Sequence, residues 1–147
     1  MARRRKKVLA SAAIGVVVLD SGALSKIAEL RDALSRAIWR ELTERGWGTC
    51  VPAVVLAEVM TGKARNDSAV DLLLRQVNDT IACDEALGRS AGTLRARIGP
   101  SRRKPSGIDA IVAAVAAAHR SSIVLTTDPR DMSALLDPVP RAVVIGI

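Results

Sequence analysis

At 147 residues the chain is long enough for one domain, which at this size hides roughly 70% of the surface its unfolded form exposes. Phe and Tyr are absent and Trp39 and Trp47 are the only aromatic residues, which excludes RNA-binding modules that stack bases on exposed rings; two Cys and one His exclude Cys₄, Cys₂His₂ and His₃ zinc sites. The formal charge is +7, but five basic residues lie in the run Arg3 to Lys7, and without them 17 basic residues face 15 acidic ones.

Residues 1–14 therefore read as a basic tail and 15–147 as one nearly neutral domain. The tail has two readings: it holds RNA phosphates through counterion release, or it keeps the protein soluble. Arg3 to Lys7 followed by the 12-residue apolar run Val8 to Leu19 has the charged and hydrophobic regions of a signal peptide. The run is too short to span a bilayer as a helix, it ends on Asp20 without a small-x-small cleavage site, and its second half is β-branched like a buried strand. A cytoplasmic protein with no membrane segment is expected. Cys50 and Cys83, each in a short apolar stretch, are expected as buried strand thiols suited to a reducing compartment.

Val16 to Leu19 reads as a first strand buried on both faces. Leu30, Leu34, Ile38 and Leu42 recur as one apolar stripe of a helix that Gly46 stops. Trp47 to Val51 is the second strand, and Pro52 opens a helix running to Thr61 and closed by Gly62. A helix near Ser68 to Asn78 leads to a third strand, Thr80 to Cys83, and a further helix, Glu85 to Ile98. Gly99 to Ser106 is a loop, Gly107 to His119 an Ala-rich helix, and Ile123 to Thr126 the fourth strand. A brief helix from Pro129 and a closing strand, Ala142 to Ile147, complete the chain. This alternation predicts a mostly parallel sheet of about five strands with helices on both faces, and sites at the carboxyl ends of the strands.

Four acids bear on such a site. Asp20 ends the first strand and Asp128 the fourth, Asp109 opens the helix that feeds the fourth strand, and Glu58 sits within the apolar run Val54 to Met60. Each also has a plain structural explanation. Asp20 fits a turn, Asp109 a capping box with Ser106, Asp128 a helix cap with Asp131 as its partner, and Glu58 a solvent-facing position. Asp20, Asp109 and Asp128 converge by topology on one edge and Glu58 lies on an apolar helix beside it, which is what a hard divalent cation, bound through oxygen, requires.

The segments V-V-V-L-D-S-G-A-L (16–24), V-P-A-V-V-L-A-E-V-M-T-G (51–62), I-D-A-I-V-A-A-V-A (108–116) and V-L-T-T-D-P-R-D-M (124–132) resemble, in that order, the PIN-domain nucleases. The closer resemblance is to the VapC-like toxins of bacterial toxin–antitoxin pairs. It implies an α/β/α sandwich around a parallel sheet, RNA cleavage with Mg²⁺ or Mn²⁺, homodimerisation, and silencing by a cognate antitoxin. It places the acidic site on Asp20, Glu58, Asp109 and Asp128, with the Thr126 hydroxyl beside the last acid.

Some members of that family carry a further acid on the helix of Asp109, where this chain has Ala113. Asp20, Asp109 and Asp128 are assigned to the metal, and Glu58, in apolar surroundings, to orienting or deprotonating the attacking water. Arg102, Arg103 and Lys104, on the loop before Asp109, either guide RNA phosphates or form a solvated loop. His119 ends a helix, where it interacts favourably with the helix dipole. The competing functions are a housekeeping RNA-processing nuclease, a silent nucleic-acid-binding protein whose acids are caps, and a receiver- or phosphatase-like domain. The last of these lacks the expected Lys in the closing strand.

Overall fold

The computed structural model describes residues 14–29 and 32–147. The basic tail and Leu30 lie outside the described residues, apart from Ile14 at the tail's end. The strands are β1 (Val16–Leu19), β2 (Gly48–Pro52), β3 (Asp79–Ile81), β4 (Ser122–Thr126) and β5 (Ala142–Gly146). The helices are α1 (Ser21–Ala28), α2 (Ala33–Glu44), α3 (Leu56–Val59), α4 (Ala64–Leu74), α5 (Glu85–Ala96), α6 (Gly107–Ala117) and α7 (Pro129–Leu136). The five strands form one parallel sheet in the order β3-β2-β1-β4-β5, the centre of an α/β/α sandwich.

β1, β2 and β4 are buried at every position because helices cover both faces, and so they read as continuous apolar runs. The edge strands β3 and β5 are half exposed. From β1 the chain crosses to β2 on one side, and β4 later joins β1 on the other. This reversal makes the gap beyond the carboxyl ends of β1 and β4 the topological switch point, where ligands bind in such sheets.

Several elements differ from the sequence expectation. Asp32 caps α2 by accepting from the Ser35 amide at 3.0 Å, and the helix packs through Ser35, Ile38, Trp39 and Leu42, leaving Leu34 72% exposed. Four-residue spacing drifts by about 40° per step on a 3.6-residue helix, so the stripe that includes Leu34 runs off the buried face. The preceding α1 was not foreseen. Pro52 ends β2 instead of opening a helix, and a tight turn at Ala53–Val55 leads into the single turn of α3. β3 stops at Ile81, which leaves Cys83 exposed, contrary to the buried strand thiol expected; Cys50 is buried, and burial pushes its thiol up to about 12, with the Asp79 charge adding to the effect. Gly46 and Gly62 have φ of 94° and 76°, the left-handed region that suits the ends of α2 and of the Glu58 segment.

Both tryptophans lie towards the amino end of the sheet. The Trp39 indole donates to Thr49 Oγ1 at 2.9 Å, and Trp47 covers Gly15, just before β1, where an added β-carbon would come within 2.5 Å of its ring. At the opposite edge a β-carbon on Gly22 would overlap the Thr127 hydroxyl and lie 2.9 Å from Thr127 Cβ, so rotating that side chain gives no relief. Gly22→Ala is therefore expected to push the β4–α7 connection away from α1 and to cost about 1–3 kcal/mol of stability. Thermal unfolding checks this, and an unchanged midpoint would show that the connection yields freely.

Candidate active site

Asp20 leaves β1 beside Leu125 of β4, and its amide donates to the Leu125 carbonyl at 3.3 Å. The carboxylate turns back to cap α1, accepting from the Ala23 amide at 2.7 Å, and is only 4% exposed. Burial raises its pKa; the Thr126 hydroxyl and the Ala23 amide oppose that rise, and the Asp109 charge adds to it. Thr126, the last residue of β4, is fully buried, and its Oγ1 also accepts from the Asp128 amide at 2.9 Å. The hydroxyl therefore lowers the Asp20 pKa while holding the start of the β4–α7 connection.

Asp109 stands in the first turn of α6, whose cap Ser106 accepts from the Asp109 amide at 3.0 Å, the capping box expected from S-G-I-D. Its carboxyl is half-buried and its pKa is raised, first by burial and then by the charges of Glu58 and Asp131, against the hydrogen bonds to Ser106. Asp20, Glu58, Asp109 and Asp131 thus share one electrostatic neighbourhood. Among the described residues no Lys or Arg forms an ion pair with any of them.

Glu58 is exposed, not buried among its apolar neighbours, because the turn at Ala53–Val55 directs Val55 into the core and leaves Glu58 facing the site. Its Oε2 accepts from Ser21 Oγ at 2.8 Å, next to Asp20. The desolvated surroundings expected of it are absent. The segment after α3 is fastened by buried Asp67, which accepts from the Thr61 amide and hydroxyl at 2.8 Å each and from the Gly62 amide at 2.9 Å. Those bonds hold the Asp67 carboxyl below its ordinary range, the Thr61 amide most.

Asp128 lies at the same edge, exposed, as the cap of α7: its Oδ1 accepts from the Asp131 amide at 3.2 Å. Asp131, half-buried in the first turn of α7, is the acid whose charge reaches Asp109. Sequence reasoning placed it only as the partner of the Asp128 cap. The D-x-x-D spacing was the available signal, since three residues into a helix returns a side chain to the face of the cap. Ser21 was likewise missed as the group that holds Glu58. Among the described residues no three of the acids are close enough to form a ready ligand cage. Asp20 Oδ1 and Asp128 Oδ1 accept from backbone amides, and Glu58 Oε2 accepts from Ser21.

The raised pKa values have a consequence for stability. From the ordinary value of 3.8 upward the folded state holds protons on Asp20 and Asp109 that the unfolded chain has released, so stability falls as pH rises through the raised values. Asn also caps helices, so Asp20→Asn removes the charge and keeps the α1 cap. At pH 7.5 in EDTA, Asp20→Asn and Asp109→Asn are expected to melt above wild type, on a scale of about 2–4 °C per kcal/mol, and the gain should vanish near pH 3.5. Variants that melt below wild type at both pH values would show the two carboxylates to be structural.

Comparison with known structures finds the same fold in several solved structures. VapBC2 from Rickettsia felis, bound to a DNA fragment from its promoter, aligns over 90% of this chain and 98% of its own at 16% identity and a TM-score of 0.68. FitAB bound to the IR36 DNA fragment aligns over 88% and 94% at 18% identity and a TM-score of 0.66. FitAcB from Neisseria gonorrhoeae aligns over 88% and 96% at 20% identity and a TM-score of 0.64. No curated protein matches the sequence significantly. The PIN domain profile matches residues 17–135, a span that contains Asp20, Glu58, Asp109, Asp128 and Asp131, and the chain therefore belongs to the PIN domain family.

Proposed function

We propose that this protein is a divalent-metal-dependent endoribonuclease and the toxin of a toxin–antitoxin pair, working in the cytoplasm as a homodimer silenced by its antitoxin. The observation that carries the nuclease reading is the uncompensated group of carboxylates at the switch point between β1 and β4. An all-oxygen donor set without cationic partners fits Mg²⁺ or Mn²⁺, hard cations that prefer carboxylates. The toxin reading is supported by the fold shared with VapBC2 and FitAB and by the motif resemblance. No helix among the described residues is long and apolar enough to cross a membrane.

Asp20 and Asp109 would hold the cation most directly, and Asp131, with Asp128 beside it, would complete the acidic wall. When bound, the cation supplies acidification of water and neutralisation of charge on the phosphoryl group. The Ala23 amide holds the Asp20 carboxylate, the Thr126 hydroxyl lowers its pKa, and Ser21 fixes Glu58 where it can orient the attacking water. With His119 engaged to the Val115 carbonyl at 2.7 Å and no second histidine, nothing pairs with it to activate the RNA 2′-hydroxyl. Attack by water leaves 5′-phosphate and 3′-hydroxyl ends.

The test is incubation of purified protein with RNA in Mg²⁺ or Mn²⁺, then in EDTA, with end-labelling of the products. Metal-dependent cleavage giving 5′-phosphates is expected, whereas 2′,3′-cyclic phosphates would overturn the water mechanism. A second reading has its own observation, since Asp20 and Asp128 do cap helices. A silent binding protein would show neither cleavage nor a metal-dependent melting shift.

A further inference from the structure

Arg130 sits in the first turn of α7, between the Asp128 cap and Asp131. With Arg97, Ser101, Arg102, Ser133 and Asp137 it lines a cavity of about 510 Å³ between the carboxyl end of α5 and α7. Three arginines and one aspartate are among its lining residues, and among the described residues none of the three arginines is in an ion pair. The walls are fastened to the domain. Arg95 Nε donates to the Pro105 carbonyl at 2.7 Å, Pro105 itself is buried, and the Arg102 amide closes a turn onto the Gly99 carbonyl at 3.2 Å. Of the basic loop residues only Arg102 lines this cavity; Arg103 and Lys104 are exposed beside it.

The chemistry of such a pocket is narrow. Guanidinium forks and hydroxyls offer many donors against a single acceptor carboxylate, which matches a phosphate oxygen cluster. The position adds a reason. The cavity runs from Arg130 to Asp137, roughly 10 Å along α7 at 1.5 Å per residue, and begins one residue from the acidic edge. A strand of RNA meeting that edge without metal is repelled by Asp20, Glu58, Asp109 and Asp131. A cationic pocket next to the acids supplies the compensating attraction, and phosphate contacts of this kind fix register without reading sequence.

We propose that this pocket binds a phosphodiester group of the single-stranded RNA substrate away from the bond being cut, so that Arg97, Arg102 and Arg130 set which phosphate reaches Asp20 and Asp109. The proposal rests on the nuclease reading, and the experiment separates the two. Binding of a fluorescent oligoribonucleotide is followed by anisotropy in EDTA across a salt series, for wild type and for Arg97→Gln/Arg130→Gln. Both residues are exposed, and unchanged melting of the variant confirms its fold. Arg40→Gln/Arg75→Gln, on α2 and at the end of α4, removes the same charge elsewhere.

Affinity should fall at least ~10-fold in the pocket variant, and the slope of log K against log salt should shrink by about 1.4, two single-strand contacts at about 0.7 each. The control should change the slope by less than half of that. In Mg²⁺ the pocket variant should raise KM while kcat stays within about threefold, the mark of lost uniform binding. Equal loss in both variants, no loss in the pocket variant, or no oligonucleotide binding by wild type overturns the proposal. So does a rise in wild-type melting with inorganic phosphate that the pocket variant loses while its oligonucleotide affinity is unchanged, since that assigns the pocket to free phosphate. Pocket-dependent binding without any cleavage supports the pocket and removes the nuclease reading; cleavage with unchanged kcat/KM in the variant does the reverse.

Discussion

Asp109→Asn should cleave RNA at least ~100-fold more slowly than wild type at saturating Mg²⁺, the usual scale for removing one strong electrostatic contributor. Asp109 is the acid best placed to have this effect. Its carboxylate is half-buried, it feels Glu58 and Asp131, and it raises the pKa of Asp20 in turn. Asn keeps the volume and can still hydrogen-bond Ser106, whose hydroxyl caps α6 through the Asp109 backbone amide, so the loss would not come from unfolding. The variant should also need more metal for half-maximal activity, because a ligand is gone. A rate within about threefold of wild type, at equal metal dependence, would remove Asp109 from the chemistry.

Asp131→Asn should lose activity on the same scale, about 100-fold, whereas Asp128→Asn should stay within about threefold of wild type. The two residues are three apart on one helical turn, but their carboxylates do different things. Asp128 is exposed and spends Oδ1 on the Asp131 amide at 3.2 Å; Asp131 is half-buried and its charge is felt at Asp109. Asn caps nearly as well as Asp, so Asp128→Asn should melt close to wild type, while Asp128→Ala should cost about 0.5–2 kcal/mol with or without metal. Parallel rate and melting measurements on the three variants decide between the roles. If Asp128→Asn is the inactive variant and Asp131→Asn the active one, the acid at the end of β4 is the ligand and Asp131 only shapes the cap.

That ambiguity marks how far the residues alone could be read. Continuous β-branched runs in β1 and β4 announce buried parallel strands, and the alternation of elements fixes the edge where Asp20, Asp109 and Asp128 collect. Ser106 with Asp109, and Asp128 with Asp131, are visible as caps because capping acts over three residues. What stayed hidden depends on rotation about a helix axis or on partners far apart in sequence. The tight turn at Ala53–Val55 decides that Glu58 meets Ser21 instead of the core, across 37 positions. Burial of Ser35 in place of Leu34 follows from where Asp32 starts α2. The three arginines of the α5–α7 cavity come from two segments whose packing no local pattern specifies.

The two tryptophans have a spectroscopic consequence. With no tyrosine or phenylalanine in the chain, intrinsic ultraviolet emission comes from Trp39 and Trp47 alone. Both report on the docking of α2 and β2 at the amino end of the sheet, where one indole is fixed by Thr49 and the other covers Gly15. The acids collect at the far end of the same strands. Emission is therefore a clean gauge of global unfolding in this protein and a poor one for cation or oligonucleotide occupancy, which must be followed with an extrinsic label.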